Sequence, residues 1–198
     1  TGEGVSDVAL PGGGKSARDP FKTALGAAIY PLYRRLLFGL AGYPAVGEDF
    51  AAAQAALARS AGAGGDLLEL SCGPGVFTAR FAWAGAWRSV TASDFSAAML
   101  CECGKALSGA LGEARAAEVA LVRADVARLP FQDASFDAVH AGAAMHCWPS
   151  PSAAVAEISR VLKPGGVFLA STFLDPTAML GDFAGGDAAV APLSALFK

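Results

Sequence analysis

Leu67-Leu68-Glu69-Leu70-Ser71-Cys72-Gly73-Pro74-Gly75 decides how this chain is read. A short apolar run ends in a turn of small residues, and an amphipathic stretch follows. That order fits a first β-strand feeding a glycine-rich loop and then a helix. Gly73 and Gly75 carry no Cβ, so a ligand can approach the backbone closely there. The N–H groups opening the next helix offer hydrogen bonds and a partial positive charge. About 20 residues on, Asp94 closes the next apolar strand, the placement expected of a carboxylate that grips ribose hydroxyls. A ribose-bearing ligand is the expectation.

Outward from that stretch, strands and helices alternate. Strands are expected at 66–70, 89–93, 119–123, 136–141 and 167–172. Between them, helices are expected at 76–84, from Ser96 to about 107 with a looser extension to 117, and at 152–162. Val155, Ile158 and Leu162 share one face of the last helix, and Lys163-Pro164-Gly165-Gly166 is read as the turn that stops it. Alternation of this kind implies an α/β fold, a Rossmann-like parallel sheet with helices on both faces and right-handed crossovers. Three segments are expected: a Gly-rich, aperiodic and disordered 1–20; N-terminal helices over 21–60; and an α/β core over 61–198. The strand at 167–172 is expected to be buried on both faces, and no further strand is legible after Thr172.

The 198 residues suffice for one substantial α/β core. The hydrophobic fraction is 54%, much of it alanine. No apolar run reaches the roughly 20 residues that span a bilayer; the nearest, 24–40, is broken by Pro31 and Arg34-Arg35. A net charge of −3 without a block of like charges argues against a nucleic-acid surface. Cys72, Cys101, Cys103 and Cys147 show no zinc spacing and read as free thiols, so no metal is expected. Gly12-Gly13-Gly14-Lys15-Ser16 is a poor P-loop: Ala9 stands where the motif needs its first glycine, and no strand is expected before it. The first residue is Thr, which fits a processed form or a fragment.

With these pieces in order, the chain resembles the class I S-adenosylmethionine-dependent methyltransferases of the methyltransferase domain 11 type. The resemblance is carried by Leu68 to Gly75, by Ser93-Asp94-Phe95-Ser96-Ala97-Ala98-Met99-Leu100, by Asp125-Val126-Ala127-Arg128-Leu129-Pro130-Phe131 with Ser135-Phe136-Asp137-Ala138-Val139, and by Ile158-Ser159-Arg160-Val161-Leu162-Lys163-Pro164-Gly165-Gly166. A narrower resemblance is to uncharacterised plastid methyltransferases of plants and green algae, some associated with plastoglobules. It rests on Val122 to Phe131, on Asp137-Ala138-Val139-His140-Ala141-Gly142-Ala143-Ala144-Met145-His146-Cys147-Trp148-Pro149-Ser150-Pro151, and on Gly42-Tyr43-Pro44 with Glu48-Asp49-Phe50.

The resemblance implies S-adenosyl-L-methionine as cofactor, a small or lipophilic acceptor such as a quinone-like plastid metabolite, chloroplast location, and peripheral lipid or plastoglobule association. It implies that 21–60 caps the acceptor side. By it, Glu69 orients the loop and meets the methionine ammonium, or else is a solvated or capping carboxylate. Ser71 stands where the family's first loop glycine is usual, and Gly73 and Gly75 follow. Asp94 holds the ribose hydroxyls or caps the next helix; Met99 covers the adenine or packs in the core. Asp125 accepts the adenine amino hydrogen, or caps a turn, with the Val126 N–H on a ring nitrogen. Ala141 and Gly142 line the methionine arm. Two histidines, His140 and His146, lie near that mouth, and His146 is the stronger candidate for a general base. The family's sheet ends in an antiparallel strand 6–7 hairpin, which this sequence lacks as read, so a C-terminally short fragment or a non-catalytic accessory protein of the same fold is the competing reading. A nicotinamide enzyme is disfavoured, because Cys72-Gly73-Pro74-Gly75-Val76-Phe77 does not supply Gly-x-Gly-x-x-Gly.

Overall fold

The structure is a computed structural model, and it describes residues 5–7, 23–34, 38, 44–61 and 64–172. Chain order is β1 (Val5–Asp7), α1 (Ala24–Tyr33), α2 (Val46–Ala61), β2 (Asp66–Leu70), α3 (Thr78–Ala84), β3 (Ser89–Asp94), α4 (Ala97–Leu111), α5 (Glu113–Ala116), β4 (Ala120–Arg123), β5 (Phe136–Ala141), a 3-10 turn (Met145–Cys147), α6 (Pro151–Val161) and β6 (Leu162–Ala170). The six strands form one sheet in the order β1-β4-β3-β2-β5-β6, every neighbouring pair parallel. This is the Rossmann-like α/β sheet expected from the alternation.

Alternate residues along β2 supply two cores, as a pleated strand buried on both faces must. Leu67 belongs to a cluster with Leu57 of α2, Phe77 before α3, Phe81 of α3, and Leu100, Cys103 and Leu107 of α4. Leu68 and Leu70 belong to the opposite cluster, with Val139 and Ala141 of β5 and Ala154, Ile158 and Val161 of α6. Helices therefore cover both faces.

Three expectations are corrected. The aperiodic segment 1–20 contains a strand: Val5–Asp7 pairs with Leu121–Arg123 at the β4 edge. Three residues are too few to show a period. The Lys163–Gly166 turn is not outside the last strand. It lies within β6, where three residues of β5 (Phe136 to Ala138) face six of β6 (Leu162 to Val167), a bulge that Gly165 accommodates at φ +80°. Lys163 uses the bulge to reach the Asp137 carboxylate at 2.7 Å. The Val167–Ala170 part of β6 is half-buried rather than buried on both faces. The Gly12–Ser16 stretch and the expected absence of a C-terminal hairpin fall outside the described residues.

The N-terminal ends of the strands carry a charged cluster. Arg88 and Ser89 hydrogen-bond the Asp66 carboxylate, and Lys163 lies 3.4 Å from it. The Arg88 hydrogen bond, with help from the others, holds the Asp66 carboxyl down to a pKa of about 2. The opposite ends of the strands carry the glycine loop after β2 and the acidic end of β3.

Candidate cofactor site

Leu70 passes into the glycine loop at Ser71, which adopts φ +52°. A left-handed backbone is costly for a residue with a Cβ, roughly 1–2 kcal/mol, so something must hold it. Two contacts do. The Trp148 indole N–H donates to Ser71 Oγ at 3.0 Å, and the Cys72 N–H donates to the Ser93 carbonyl at 3.1 Å. Trp148 follows the 3-10 turn after β5, so the loop is fastened from two directions. Trp148→Phe keeps the buried ring and removes the hydrogen bond. It is expected to cost about 1 kcal/mol, read as a lower denaturation midpoint with an unchanged denaturant slope.

Gly73 and Gly75 both have left-handed backbones, φ +55° and +78°. Their surroundings differ. A Cβ on Gly73 would meet nothing within 4 Å, whereas one on Gly75 would lie 2.6 Å from Cys103 Sγ and 3.0 Å from Cys103 Cα. Gly73 thus borders open space, as a ligand cradle requires. Gly75 lets α4 pack against the loop.

Asp94 ends β3 beside this loop. One carboxylate oxygen accepts the Gly73 N–H at 2.9 Å and the other accepts the Ser96 N–H at 2.8 Å. The cap of α4 is Ser96, whose Oγ accepts the Met99 N–H at 3.3 Å. Asp94 therefore braces both the glycine loop and the start of α4. Met99 is buried in the first turn of α4. Asp125 turns the chain after β4, its Oδ1 accepting the Ala127 N–H at 2.9 Å, which is the turn-capping alternative. Val126 packs against the α6-side core. Ala141 ends β5, fully buried, and Gly142 follows it.

Glu69 is neither solvated nor at the loop surface. Its place in the alternation puts it on the α3 face of the sheet, only 3% exposed. The Thr78 hydroxyl donates to Oε2 at 2.5 Å, and His140, its register partner on β5, brings Nδ1 to 3.8 Å from Oε1. That His140 nitrogen is buried and has no hydrogen-bond partner. The imidazole packs between Phe77 (centroids 4.9 Å) and Phe81 (5.2 Å). Glu69 was singled out by the family resemblance. Nothing local announced Thr78 or Trp148, because both partners come from distant elements.

His146 lies in the 3-10 turn after β5, with Thr172 Oγ1 3.4 Å from its Nδ1. Burial pushes its pKa below the ordinary histidine value. The four cysteines are free thiols. Hydrogen bonding with Cys103, followed by burial, raises the Cys72 thiol well above its usual range, so it stays protonated and is a poor nucleophile. Among the described residues no cluster of His, Cys, Asp and Glu is placed to hold a metal ion.

The protein-family model described as a methyltransferase domain matches residues 68–170, more than half of the chain. Two uncharacterized chloroplastic methyltransferases of Arabidopsis thaliana are 43% identical over 175 residues (85% of this chain, 49% of the relative) and 44% identical over 154 residues (78% and 43%). The demethylmenaquinone methyltransferase of Mycobacterium tuberculosis is 38% identical over 119 residues, 60% of this chain and 45% of that one. The chain spans about half the length of the curated relatives it matches. In fold it is similar to a protein of Methanococcus maripaludis assigned to the S-adenosyl-L-methionine-dependent methyltransferases, with TM-score 0.64, 23% identity, and coverage of 80% of this chain and 68% of that one. With a parallel sheet that presents its glycine loop and acidic strand end together, and with sequence shared over most of its length with named methyltransferases, the chain belongs to the methyltransferase domain family.

Proposed function

We propose that this chain transfers a methyl group from S-adenosyl-L-methionine to a small or lipophilic plastid metabolite, quinone-like in chemistry. The observation that carries the reading is the pairing of Asp94 with Gly73. A carboxylate that accepts the loop's own N–H stands beside a glycine that faces open space, as a ribose diol lying along a backbone needs. When bound, the cofactor supplies a methyl group on a sulfonium. The protein's part is to hold donor and acceptor in line and near each other, which supplies much of the rate of such displacements. Asp94 would hold the ribose, Gly73 would admit the donor to the backbone, Met99 and Asp125 with the Val126 N–H would flank the adenine, and Ala141 and Gly142 would border the amino-acid arm. Glu69, bound to Thr78, would act on the loop from beneath.

The acceptor class rests on the likeness to the demethylmenaquinone enzyme, and the chloroplast setting on the names of the two Arabidopsis relatives. Leu25, Ile29 and Leu32 stand exposed along α1, an apolar stripe that suits a lipophilic acceptor taken from a lipid surface. Peripheral lipid or plastoglobule association, with 21–60 as the acceptor-side cap, belongs to this proposal. No helix among the described residues is long and apolar enough to cross a membrane.

Calorimetric titration with S-adenosylhomocysteine tests the donor. Saturable one-to-one binding supports the reading, and no binding by the folded chain favours a non-catalytic protein of the same fold. Incubation with methyl-labelled donor and plastid extract would reveal the acceptor. His146 enters as the base or acceptor contact. Partial desolvation lowers its pKa, so the loss of activity on acidification should be shifted downward from the ordinary histidine value. His146→Ala should slow methyl transfer about tenfold, near 1.4 kcal/mol, and leave S-adenosylhomocysteine affinity unchanged. Equal loss of both would move His146 into the donor site.

A further inference from the structure

The segment between β4 and β5 carries Asp125 and Val126, and helix α6 holds it through two side chains, Glu157 and Arg160. Arg160 is half-buried, and all five of its N–H groups are engaged. Nε and Nη2 donate to the two oxygens of Glu157, each at 2.8 Å, the bidentate form of this ion pair. Nη2 also donates to the Leu129 carbonyl at 2.9 Å, and Nη1 donates to the Phe131 carbonyl at 2.7 Å and to Asp133 Oδ1 at 2.8 Å. Glu157 Oε2 in turn accepts the Leu129 N–H at 2.7 Å. Both backbone groups of Leu129 thus end on one ion pair of α6. A guanidinium with no donor to spare does not grip a ligand itself; its effect on a site passes through the segment it holds.

From Leu129 the constraint runs back to Asp125. The Arg128 N–H donates to the Asp125 carbonyl at 2.9 Å, and Asp125 Oδ1 accepts the Ala127 N–H at 2.9 Å. Residues 125–128 are therefore a closed turn whose next residue is fixed to α6. Val126, Leu129 and Phe131 pack into the core on the same side, so the turn is held by apolar contact as well as by the ion pair. We propose that Arg160, braced by Glu157, is a positioning residue for the donor's adenine: by fixing Leu129 it sets the Asp125 carboxylate and the Val126 N–H against the edge of the base. This rests on the donor reading above.

An Arg160 that only holds the fold together makes a different forecast. Its loss would lower the melting temperature and leave the choice between bases alone. The test is calorimetry on the full chain with two ligands, S-adenosylhomocysteine and S-inosylhomocysteine. The second has a keto oxygen in place of the adenine amino group and an N–H in place of the neighbouring ring nitrogen. The donors and acceptors that would face Asp125 and Val126 are therefore reversed. Wild type is expected to prefer the first ligand at least about tenfold. Arg160→Met is expected to bind the first about tenfold more weakly and the second as wild type does, so the preference disappears. Arg160→Lys, which keeps the charge but not the fork, should lose part of the preference, and it carries the comparison if Arg160→Met does not fold. Arg88→Met, which breaks the ion pair with Asp66 at the other end of the strands, is the control and should keep the full preference. An unchanged preference in the folded Arg160 variant, with or without a loss common to both ligands, overturns the proposal. So does an equal loss of preference in Arg88→Met, or a wild type that binds both ligands alike; each of these leaves the donor reading standing. A folded wild type that binds neither ligand removes both.

Discussion

Asp94→Ala is expected to weaken S-adenosylhomocysteine binding about a hundredfold, close to 3 kcal/mol. Two losses combine. The carboxylate would no longer accept from the ribose hydroxyls, and hydrogen bonds to a charged acceptor are the strong kind. The loop would also lose its brace, because Gly73 N–H and Ser96 N–H both donate to this side chain. The second loss gives a stability cost of about 1–2 kcal/mol, so thermal unfolding must be measured beside calorimetry. Asp94→Asn separates the two: its carbonyl oxygen can still accept one of the N–H groups, and the negative charge is gone. It should be more stable than the alanine variant and still bind poorly. A folded Asp94→Ala with wild-type affinity would remove Asp94 from the donor site.

Gly75→Val is expected to be the more damaging of the two loop-glycine substitutions to the fold. Its Cβ would fall 2.6 Å from Cys103 Sγ and 3.0 Å from the Cys103 backbone, at a φ of +78° that a branched side chain resists. Strain and overpacking together give roughly 3 kcal/mol, about 10 °C in melting temperature for a chain of this size. Gly73→Ala should behave in the opposite way. Open space surrounds its Cβ, so only the left-handed backbone resists, at roughly 1 kcal/mol, while a ligand lying against that backbone would be displaced. Calorimetry and thermal melts on both variants should show one losing stability and the other losing affinity. If Gly73→Ala binds S-adenosylhomocysteine normally, the loop is not the cradle.

The alternation of apolar runs and amphipathic stretches made the core of the sheet legible, because β2 and β5 each bury a run of four consecutive residues between clear turns. Asp94 was legible for a related reason: strand ends in parallel sheets gather on one side, so the spacing from the loop suffices. Partners across elements were not legible. Thr78 beneath Glu69, Trp148 on Ser71 and Arg160 on Leu129 meet only once the chain has folded, and no local period encodes them. Lys163 to Gly166 looked like a boundary because Pro and Gly usually mark one; here β5 tolerates a bulge opposite them. Val5–Asp7 escaped because a strand this short is defined by the edge it joins.

The bond between Trp148 and Ser71 gives the molecule an internal optical reporter. Trp83 is largely exposed, while Trp148 is 7% exposed with its indole N–H tied to the loop. Trp87 is buried too, but it is anchored to Gln54 on α2. A chain carrying Trp148 as its sole indole would emit light whose wavelength and intensity follow the hydration and hydrogen bonding of that one ring. Loop movement on ligand entry would then be followed in real time, in solution, without attaching any dye.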